Sequence, residues 1–428
     1  QIRAAKRLLK PGGELVAAVC NPFGMKYWAG APKDKNCFSK PKLESLFKEE
    51  KEGGNLKFYY PMPDYKLPVT IFSDSYLPGK GDLTDTITAY DYPKYLLMDV
   101  GASYDEVCRE GMFDQYANSF FVVWQKHETP LEIQYVKYNR TRTERFQIKT
   151  TILGQGQERV VEKAALSMEG APHIWAFGTN YTELSKQYAD VNFVKPDMGE
   201  DRSSVRFPYI VGKSWSEQLG EEISLGKVPV RLVRLAMEQV LKTKSSAMVS
   251  FKETPEFEEV FGDQASWEQF RGEPCLGISN IDALFENILL TGDERYCLDY
   301  EWVFPFPIPV KFIQYRILFY FYRQYHSLLT TYHTVSDWLV EFGISKEEEE
   351  VFSNMETAFQ RYVHGENQQI FLENYLVETK NVRELARVDR ELERTKVQAR
   401  EKDTALRKMT EIQRLTNNHV TNLEIMIK

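Results

Sequence analysis

Two aspartates and one asparagine limit the possible fold and chemistry of this 428-residue chain more than any other feature of its sequence. The letters D-A-L-F-E-N occupy 282–287, and L-D-Y-E follows at 298–301. Phosphoryl transfer from ATP requires such a set, because one carboxylate orients the attacking hydroxyl while an amide and a second carboxylate hold Mg²⁺ on the phosphates. The apolar run at 288–290 predicts a strand that would hold the asparagine at the end of a sheet.

These residues resemble the catalytic loop H-R-D-x-x-x-x-N and the later D-F-G of the protein-kinase-like fold. The letters D-Y-E-W at 299–302 are more similar to its small-molecule kinase branch, in which an aromatic and then an acidic residue often follow the second Asp. The resemblance implies that Asp282 is the catalytic Asp. It also implies that Asn287 and Asp299 bind the metal.

Four positions depart from that pattern, one of which is Leu284 in place of a residue that is often Lys in protein kinases. Asn280 and Ile281 stand where His and Arg are usual, and Glu301 replaces the Gly. The missing Arg argues against control by a phosphorylated activation loop. A pseudokinase that acts as a scaffold is therefore the alternative to an active enzyme.

A kinase-like amino-terminal lobe requires a Lys on its third strand to pair with the α- and β-phosphates. The run 159–166 predicts a strand leading into a helix, and Lys163 is the candidate. Two β-rich runs, 131–138 and 145–153, precede it. The letters G-Q-G at 154–156 lie too close to Lys163 for an intervening strand, so we interpret them as a hairpin turn rather than a phosphate loop.

The phosphate-facing turn is instead expected at 139–144, which contains no Gly. Arg140 and Thr141 are its candidate phosphate contacts, since their side chains can donate hydrogen bonds where backbone amides otherwise would. An exposed basic turn is the alternative.

The resemblance also implies a helix glutamate that pairs with Lys163, and a hinge that binds adenine through its backbone. Glu169 and Glu183 are both candidates for the first role. Tyr209, Ile210 and Val211 are the hinge candidates, although an ordinary core strand ending at a Gly turn predicts the same residues.

The composition is that of a globular protein, with 43 % hydrophobic and 27 % charged residues. The net charge of −8 excludes a basic footprint for nucleic acid. Five scattered cysteines without metal-ligand spacing predict reduced thiols in a cytoplasmic protein. The longest apolar stretch, 302–322, is interrupted by prolines and charges, so we interpret it as the core of a carboxyl-terminal lobe.

The amino-terminal part resembles a different fold. The letters L-K-P-G-G-E-L at 9–15 predict a tight turn and a buried strand, and 57–60 and 119–124 predict two further strands. Such a turn is frequent in class I S-adenosylmethionine-dependent methyltransferases, just before a late strand of their sheet. The resemblance covers roughly 1–127 and implies the carboxyl-terminal half of such a domain. The methyl-donor loop would lie upstream of Gln1, so S-adenosylmethionine is expected only if that half is present. A short α/β domain without catalytic use is the alternative.

Beyond Val377 the chain changes character, because Gly and Pro disappear and charges alternate. Apolar residues then recur on one seam with spacings of three and four, which predicts a coiled coil with a weak, polar centre. Self-association is expected, and a single amphipathic helix packed on its own domain is the alternative. The seam consists of Leu385, Val388, Leu392, Ala399, Leu406, Met409, Val420, Leu423 and Ile427.

The predicted fold class is thus an α/β, partial Rossmann-like methyltransferase domain, then an α+β bilobal kinase-like domain, then a long α-helical coiled coil. The predicted boundaries are 1–127, 130–376 and 377–428. Within the kinase-like domain, the amino-terminal lobe spans about 130–212 and the carboxyl-terminal lobe about 213–376.

This order of parts resembles bacterial methyltransferase–kinase fusion enzymes that modify the growing end of a surface polysaccharide such as lipopolysaccharide O-antigen. The resemblance implies phosphorylation and methylation of a terminal sugar, with ATP and Mg²⁺ as cofactors and a carbohydrate or lipid-linked glycan as acceptor. It further implies self-association through the coiled coil, a membrane surface or a glycosyltransferase as partner, and a cytoplasmic location at the inner membrane face. A pseudokinase that supports methyltransferase activity is the alternative.

Overall fold

The computed structural model describes residues 2–48, 54–83, 95–126, 132–262, 265–366 and 380–427. The predicted boundaries near 127–130 and 376–377 lie outside these residues. The first part of the chain forms α1 (Ile2–Leu8), β1 (Glu14–Cys20), α2 (Met25–Trp28), α3 (Lys40–Lys48), β2 (Asn55–Met62), β3 (Thr70–Ser73), β4 (Tyr95–Leu96), α4 (Val100–Arg109), α5 (Phe113–Tyr116) and β5 (Ser119–Gln125).

Three strands of this part pair side by side although they are far apart in the sequence. β5 lies between β1 and β2 and is antiparallel to both. Their inward side chains Phe58, Tyr60 and Phe120 are almost fully buried, and each of the first two rings meets Phe120 edge to face at 5.9 Å. The strands predicted at 57–60 and 119–124 are therefore confirmed.

The same sheet continues into the middle of the chain, because β3 pairs antiparallel with the strand that contains Lys137. Thr70 lies opposite Lys137 in this pair. The middle elements are β6 (Ile133–Tyr138), β7 (Ile148–Leu153), β8 (Val160–Ala165), α6 (Ala171–Gln187), β9 (Asn192–Phe193), β10 (Asp197–Met198), β11 (Ser204–Pro208) and β12 (Lys213–Ser214). In the described part of the chain the sheet has nine strands in the order β1-β5-β2-β3-β6-β7-β8-β11-β10.

Strand β8 and helix α6 form the strand-to-helix unit predicted around Lys163. The Gly-Gln-Gly segment at 154–156 lies in the turn between β7 and β8, which pair antiparallel, so its interpretation as a hairpin turn is confirmed. α6 carries Pro in its first turn, where a missing backbone N–H costs nothing. It buries Ile174 and Phe177 on the face toward the sheet, and Phe177 meets Phe207 of β11 at 5.5 Å.

The carboxyl-terminal half is mostly helical. Strands β12 and β9 flank a hairpin in a four-stranded sheet. Ser214 begins the following helix by a capping box, because its hydroxyl accepts the Glu217 N–H and the Glu217 carboxylate accepts the Ser214 N–H. The elements are α7 (Trp215–Ser224), α8 (Val230–Val240), β13 (Met248–Ser250), α9 (Pro255–Phe261), β14 (Pro274–Leu276), β15 (Ser279–Asn280), β16 (Ile288–Thr291), β17 (Glu294–Cys297), β18 (Val303–Phe304), β19 (Ile308–Pro309), α10 (Val310–Gln324), α11 (His326–Leu329), α12 (Val335–Glu341), α13 (Lys346–His364), β20 (Lys380–Asn381) and α14 (Val382–Ile427).

Two separate hydrophobic cores support these elements. One lies under the amino-terminal strands between Met25 and Trp124. The other extends from Phe146 to Val363 and is dominated by aromatic rings. Trp338 of α12 is fully buried there, and its indole N–H donates to the Leu318 carbonyl of α10 at 3.2 Å. Each such buried aromatic contributes on the order of 2 kcal/mol, which makes α10 a fixed support for the loops packed on it.

Helix α14 is one continuous helix of 46 residues, and its described side chains are exposed. Apolar side chains along it, such as Leu392 and Leu406, are about half exposed or more. Of the predicted seam, the side chains of Val420, Leu423 and Ile427 lie outside the described residues. No described helix combines the length and the apolar character that crossing a membrane requires.

Candidate active site

Asp282 lies directly after β15 in a loop that side chains hold from both sides. The Asn280 side-chain oxygen accepts the backbone N–H of Asp282 at 3.0 Å. Arg316 of α10 donates from Nε to the Ile281 carbonyl at 2.9 Å. Both supporting side chains are buried. The two positions that depart from the usual His and Arg are thus part of a well-supported loop.

Asn287 closes this loop and brings Asp299 next to it. The Asn287 amide donates from Nδ2 to the Asp282 carbonyl at 2.9 Å. β16 and β17 then form a hairpin with Ile288 opposite Cys297. The Leu298 N–H donates back to the Asn287 carbonyl at 2.9 Å, so Asp299 comes out of the hairpin beside Asn287.

Lys163 reaches Asp299 from the nine-stranded sheet. It projects from β8, is 6 % exposed, and places Nζ 2.6 Å from Asp299 Oδ2. Glu301 Oε2 is 3.9 Å from the same ammonium. Burial disfavours the charged amine, but Asp299 and Glu301 more than offset this and raise the pKa of Lys163. The lysine is therefore a charged group in the cleft.

Glu301 is the centre of a buried charge cluster. Arg142 donates to Glu301 Oε1, and His173 Nε2 lies 2.7 Å from the same oxygen. Burial alone would raise the pKa of Glu301, but Arg142, His173 and Lys163 together lower it well below its ordinary range. The acidic residue that replaces the usual Gly thus keeps its charge and gathers three basic side chains.

The Asp282 carboxylate has a protonation equilibrium suited to accepting a proton. Burial raises its pKa to about 7, although Arg316 Nη2 lies 3.1 Å from Oδ1 and opposes the shift, while Asp299 and Glu301 add to it. Arg316 also contacts Glu356 of α13. A carboxylate with a pKa near 7 is an effective general base at neutral pH.

Asp299 and Asn287 fit a magnesium site on the evidence of one atom. Asp299 Oδ1 is buried and has no hydrogen-bond partner within the described ranges. A buried carboxylate oxygen without a donor costs free energy, and a cation at that oxygen would remove this cost. The Asn287 amide uses Nδ2 for the loop, which turns its oxygen away from the Asp282 carbonyl. Mg²⁺ commonly takes one or two protein oxygens and completes its shell with phosphates and water.

The two predicted phosphate contacts, Arg140 and Thr141, have other contacts in the structure. The Arg140 guanidinium lies 4.5 Å from the centre of the Tyr138 ring. The Thr141 carbonyl accepts from His364 Nδ1 at 2.9 Å. The neighbouring Arg142 enters the site instead, through its contact with Glu301.

Neither glutamate candidate contacts Lys163 in the part of the chain that the structure describes. Glu183 pairs with Lys186 at 2.8 Å, and Glu169 is exposed. Glu301 is the glutamate near the lysine, and it comes from the segment after Asp299 rather than from α6.

The hinge candidates lie in the irregular segment between β11 and β12, which joins the nine-stranded sheet to the four-stranded one. The Tyr209 N–H donates to the Arg159 carbonyl at 3.1 Å. Ile210 packs on the large core, and Val211 is exposed while its carbonyl accepts from Thr291 at 3.2 Å. The segment connects the two sheets, and the assignment of these residues to an adenine-binding hinge stays a prediction.

Four side chains of the site were not selected from the sequence: Arg142, His173, Arg316 and Glu356. A buried Glu at 301 was a usable signal, because an ionised carboxylate in a core requires basic partners. The four positions themselves have no local pattern, since their partners lie on distant segments.

No protein-family model matches the chain, and no curated protein sequence does. Solved structures to which it is similar include a macrolide 2′-phosphotransferase from Brachybacterium faecium, with 12 % identity over 52 % of this chain and 83 % of that chain and a TM-score of 0.25. A choline kinase from Streptococcus pneumoniae shows 9 % identity over 52 % and 87 %, with a TM-score of 0.28. A spectinomycin phosphotransferase solved with ADP and spectinomycin shows 12 % identity over 57 % and 88 %, with a TM-score of 0.23. Each is a small-molecule phosphotransferase or kinase. Because the TM-scores are below 0.5, the function of this chain is inferred from its own side chains.

Proposed function

We propose that this protein transfers the γ-phosphoryl group of ATP to a hydroxyl group. One observation carries the proposal, namely that Lys163, Asp282, Asn287 and Asp299 come together from three separate segments in one largely buried cluster. The lysine lies 2.6 Å from Asp299, and the asparagine lies 2.9 Å from the Asp282 carbonyl. An ordinary surface loop would not gather a buried lysine and two carboxylates in this way.

In the proposed reaction Asp282 orients the acceptor hydroxyl and takes its proton. The hydroxyl oxygen forms a bond to the γ-phosphorus, the bond from that phosphorus to the β,γ-bridging oxygen breaks, and ADP leaves with the electron pair. Lys163 exchanges its contact with Asp299 for the α- and β-phosphates. Asn287 and Asp299 would hold Mg²⁺, which neutralises phosphate charge when bound.

We further propose that the acceptor is a carbohydrate at the end of a bacterial surface polysaccharide. The support is the order of the segments, in which a methyltransferase-like part precedes the phosphotransfer site and a long helix follows it. A lipid-linked acceptor of this kind would bring the protein to the inner membrane face, beside a glycosyltransferase.

Methyl transfer is part of this proposal for the amino-terminal part. β1 follows the Leu-Lys-Pro-Gly-Gly turn and is the end strand of the nine-stranded sheet, beside β5. Its letters L-V-A-A-V are apolar on both faces, which is typical of an inner strand of a parallel sheet, yet Val16 is 57 % exposed. An S-adenosylmethionine site of the methyltransferase type would require further elements packed against β1.

We also infer that α14 associates with copies of itself. Leu385, Leu392 and Leu406 fall on one heptad seam and are exposed. A helix of 46 residues that leaves this seam in water gains stability when a second copy covers it.

The test is incubation with radiolabelled ATP, Mg²⁺ and a panel of oligosaccharide acceptors. Label should pass to at least one acceptor with the natural chain and with Asp293→Asn, an exposed control on the β16–β17 turn, but not with Asp282→Asn. Equal transfer by Asp282→Asn would remove that residue from the reaction. No transfer to any acceptor and no thermal shift at millimolar Mg-ATP would instead support a scaffold that assists the methyltransferase part.

A further inference from the structure

We propose that Arg142 contacts the transferred phosphoryl group and neutralises its charge in the transition state. This inference rests on the proposed phosphotransfer. In protein kinases the backbone amides of a Gly-rich loop contact the phosphates, and here one arginine side chain would make that contact. Arg140 and Thr141, selected from the sequence, would then have no direct part.

Position is the first argument. Arg142 lies in the turn between β6 and β7, at the place in the chain where a phosphate loop is expected. Its side chain is 15 % exposed and contacts Glu301, and its guanidinium lies 5.3 Å from the centre of the Trp302 ring. Glu301 in turn lies 3.9 Å from Lys163. The guanidinium and the ammonium are thus on two sides of one carboxylate, at the mouth of the proposed phosphate site.

The turn itself is fixed from outside the sheet. The Thr143 N–H donates to the Val363 carbonyl at 2.9 Å, and its hydroxyl donates to the same carbonyl at 3.1 Å. His364 contacts the Thr141 carbonyl at 2.9 Å. Gln147 donates from Nε2 to the Arg142 carbonyl at 2.8 Å. Because Val363, His364 and Gln147 already bind these backbone groups, we assign the phosphate contact to the Arg142 side chain.

Electrostatics provide the second argument. Arg142 is close enough to Asp282 to lower the pKa of its carboxyl, although burial dominates and raises it. Its charge therefore acts on the residue that orients the attacking hydroxyl in the proposed reaction. His173 lies 2.7 Å from the oxygen of Glu301 that Arg142 contacts. Glu301 keeps a partner when the guanidinium turns to the phosphate, so the movement leaves no buried carboxylate without a donor.

A guanidinium is suited to this role, since its planar donors match two phosphate oxygens at once and it stays charged when desolvated. Arginines that meet the transferred phosphoryl group in other enzymes accelerate transfer by about 10³- to 10⁵-fold. Lysine keeps the charge but loses the second donor, so Arg142→Lys should retain only part of the rate.

The experiment compares three arginines of one segment in the full chain. Arg142→Gln is measured beside Arg140→Gln and Arg145→Gln, two matched controls whose side chains lie on Tyr138 and near Glu259. The readouts are kcat and KM for ATP in transfer to an acceptor, or in ATP hydrolysis by water where no acceptor is used, together with Mg-ADP binding by calorimetry.

We expect Arg142→Gln to lower kcat by about 10²-fold or more, with KM and Mg-ADP affinity within about 3-fold of the natural chain. Both controls should keep kcat within about 3-fold, and Arg142→Lys should fall between. Arg142→Gln with the kcat of the controls would overturn the inference and leave the proposed function standing. If Arg142→Gln does not fold, Arg142→Lys decides, because full activity there would overturn the inference. A natural chain that neither binds Mg-ATP nor cleaves it would overturn both.

Discussion

Lys163 Nζ and Asp299 Oδ2 form an ion pair at 2.6 Å, while Asp299 Oδ1 has no hydrogen-bond partner among the described residues. The two opposite charges stabilise each other in this pair. In the proposed complex the ammonium would leave Oδ2 for the α- and β-phosphates, and Mg²⁺ would bind Oδ1. Mg-ATP would replace one contact with two.

Lys163→Met is therefore expected to weaken Mg-ATP binding by about 10-fold or more, because a buried charge partner of the phosphates is lost. Lys213→Met is the matched control, since Lys213 lies on a strand, is half exposed and pairs with Glu221 outside the cleft. Calorimetric titration measures both. Equal affinities in the two variants would exclude Lys163 from the nucleotide site.

Asp282 should make folding stability depend on pH in a defined direction. Its pKa rises from 3.8 to about 7 on folding, mainly through burial, so the folded state holds the proton more tightly than the unfolded state. Below pH 3.8 both states are protonated and the residue contributes no difference. Stability is lost as the pH rises from 3.8 to about 7, and the full loss persists above.

Asp282→Asn removes this titration. It is expected to raise Tm above pH 7, by an amount that corresponds to roughly 1–3 kcal/mol, and to give no gain near pH 4. Thermal melts of both proteins across this range measure the difference. The same gain at both ends of the range would contradict the raised pKa.

Arg316 of α10 is expected to hold the loop of Asp282 in place by linking this loop to α13. It joins the Ile281 carbonyl and Asp282 to Glu356, and its side chain is 3 % exposed. Glu356→Gln leaves this cation underpaired in the core, so we expect a loss of about 2–4 kcal/mol in the free energy of unfolding and a lower kcat.

The control for this network is Glu348→Gln. The Lys311–Glu348 pair also joins α10 to α13, at 2.6 Å, but its side chains are 39 % and 28 % exposed. Its loss should cost no more than about 1 kcal/mol and leave kcat unchanged. Chemical denaturation and steady-state rates compare the two variants. Equal losses in both would mean that Arg316 has only a general packing role.

Self-association through α14 predicts a positional effect on oligomer size. Leu392→Asp places a charge on the seam and is expected to reduce the assembly to monomers, whereas Val397→Asp, two positions before the seam residue Ala399, should not. Both side chains are about half exposed in the single helix, which makes them a matched pair. Light scattering after size-exclusion chromatography measures the mass. A monomeric natural chain would contradict the inference.

The residues of the candidate site that could be predicted from sequence are those whose spacing along the chain indicates their chemical role. Asp282, Asn287 and Asp299 lie within one loop and one hairpin, and Lys163 follows from its order among the strands. The glutamate near Lys163 could not be predicted, because the fold brings Glu301 there from a distant segment, whereas the sequence suggested Glu169 and Glu183.

Long-range contacts also explain the other differences. Arg140 and Arg142 are equivalent in a sequence pattern, and the contacts of Thr143 with Val363 decide which one enters the cleft. The continuation of the amino-terminal sheet into β6 depends on the pairing of β3 with β6, which no local pattern indicates. Individual strands and helices were predictable, whereas the register between distant segments was not.

The most direct test of the site is calorimetric titration of ATP into the natural chain and into Asp299→Ala, each with and without Mg²⁺. Asp299→Ala should keep its fold, judged by an unchanged circular dichroism spectrum. The natural chain should bind ATP more tightly when Mg²⁺ is present, and Asp299→Ala should lose that Mg²⁺-dependent gain. The same Mg²⁺-dependent affinity in both proteins would contradict a metal–nucleotide site built on Asp299.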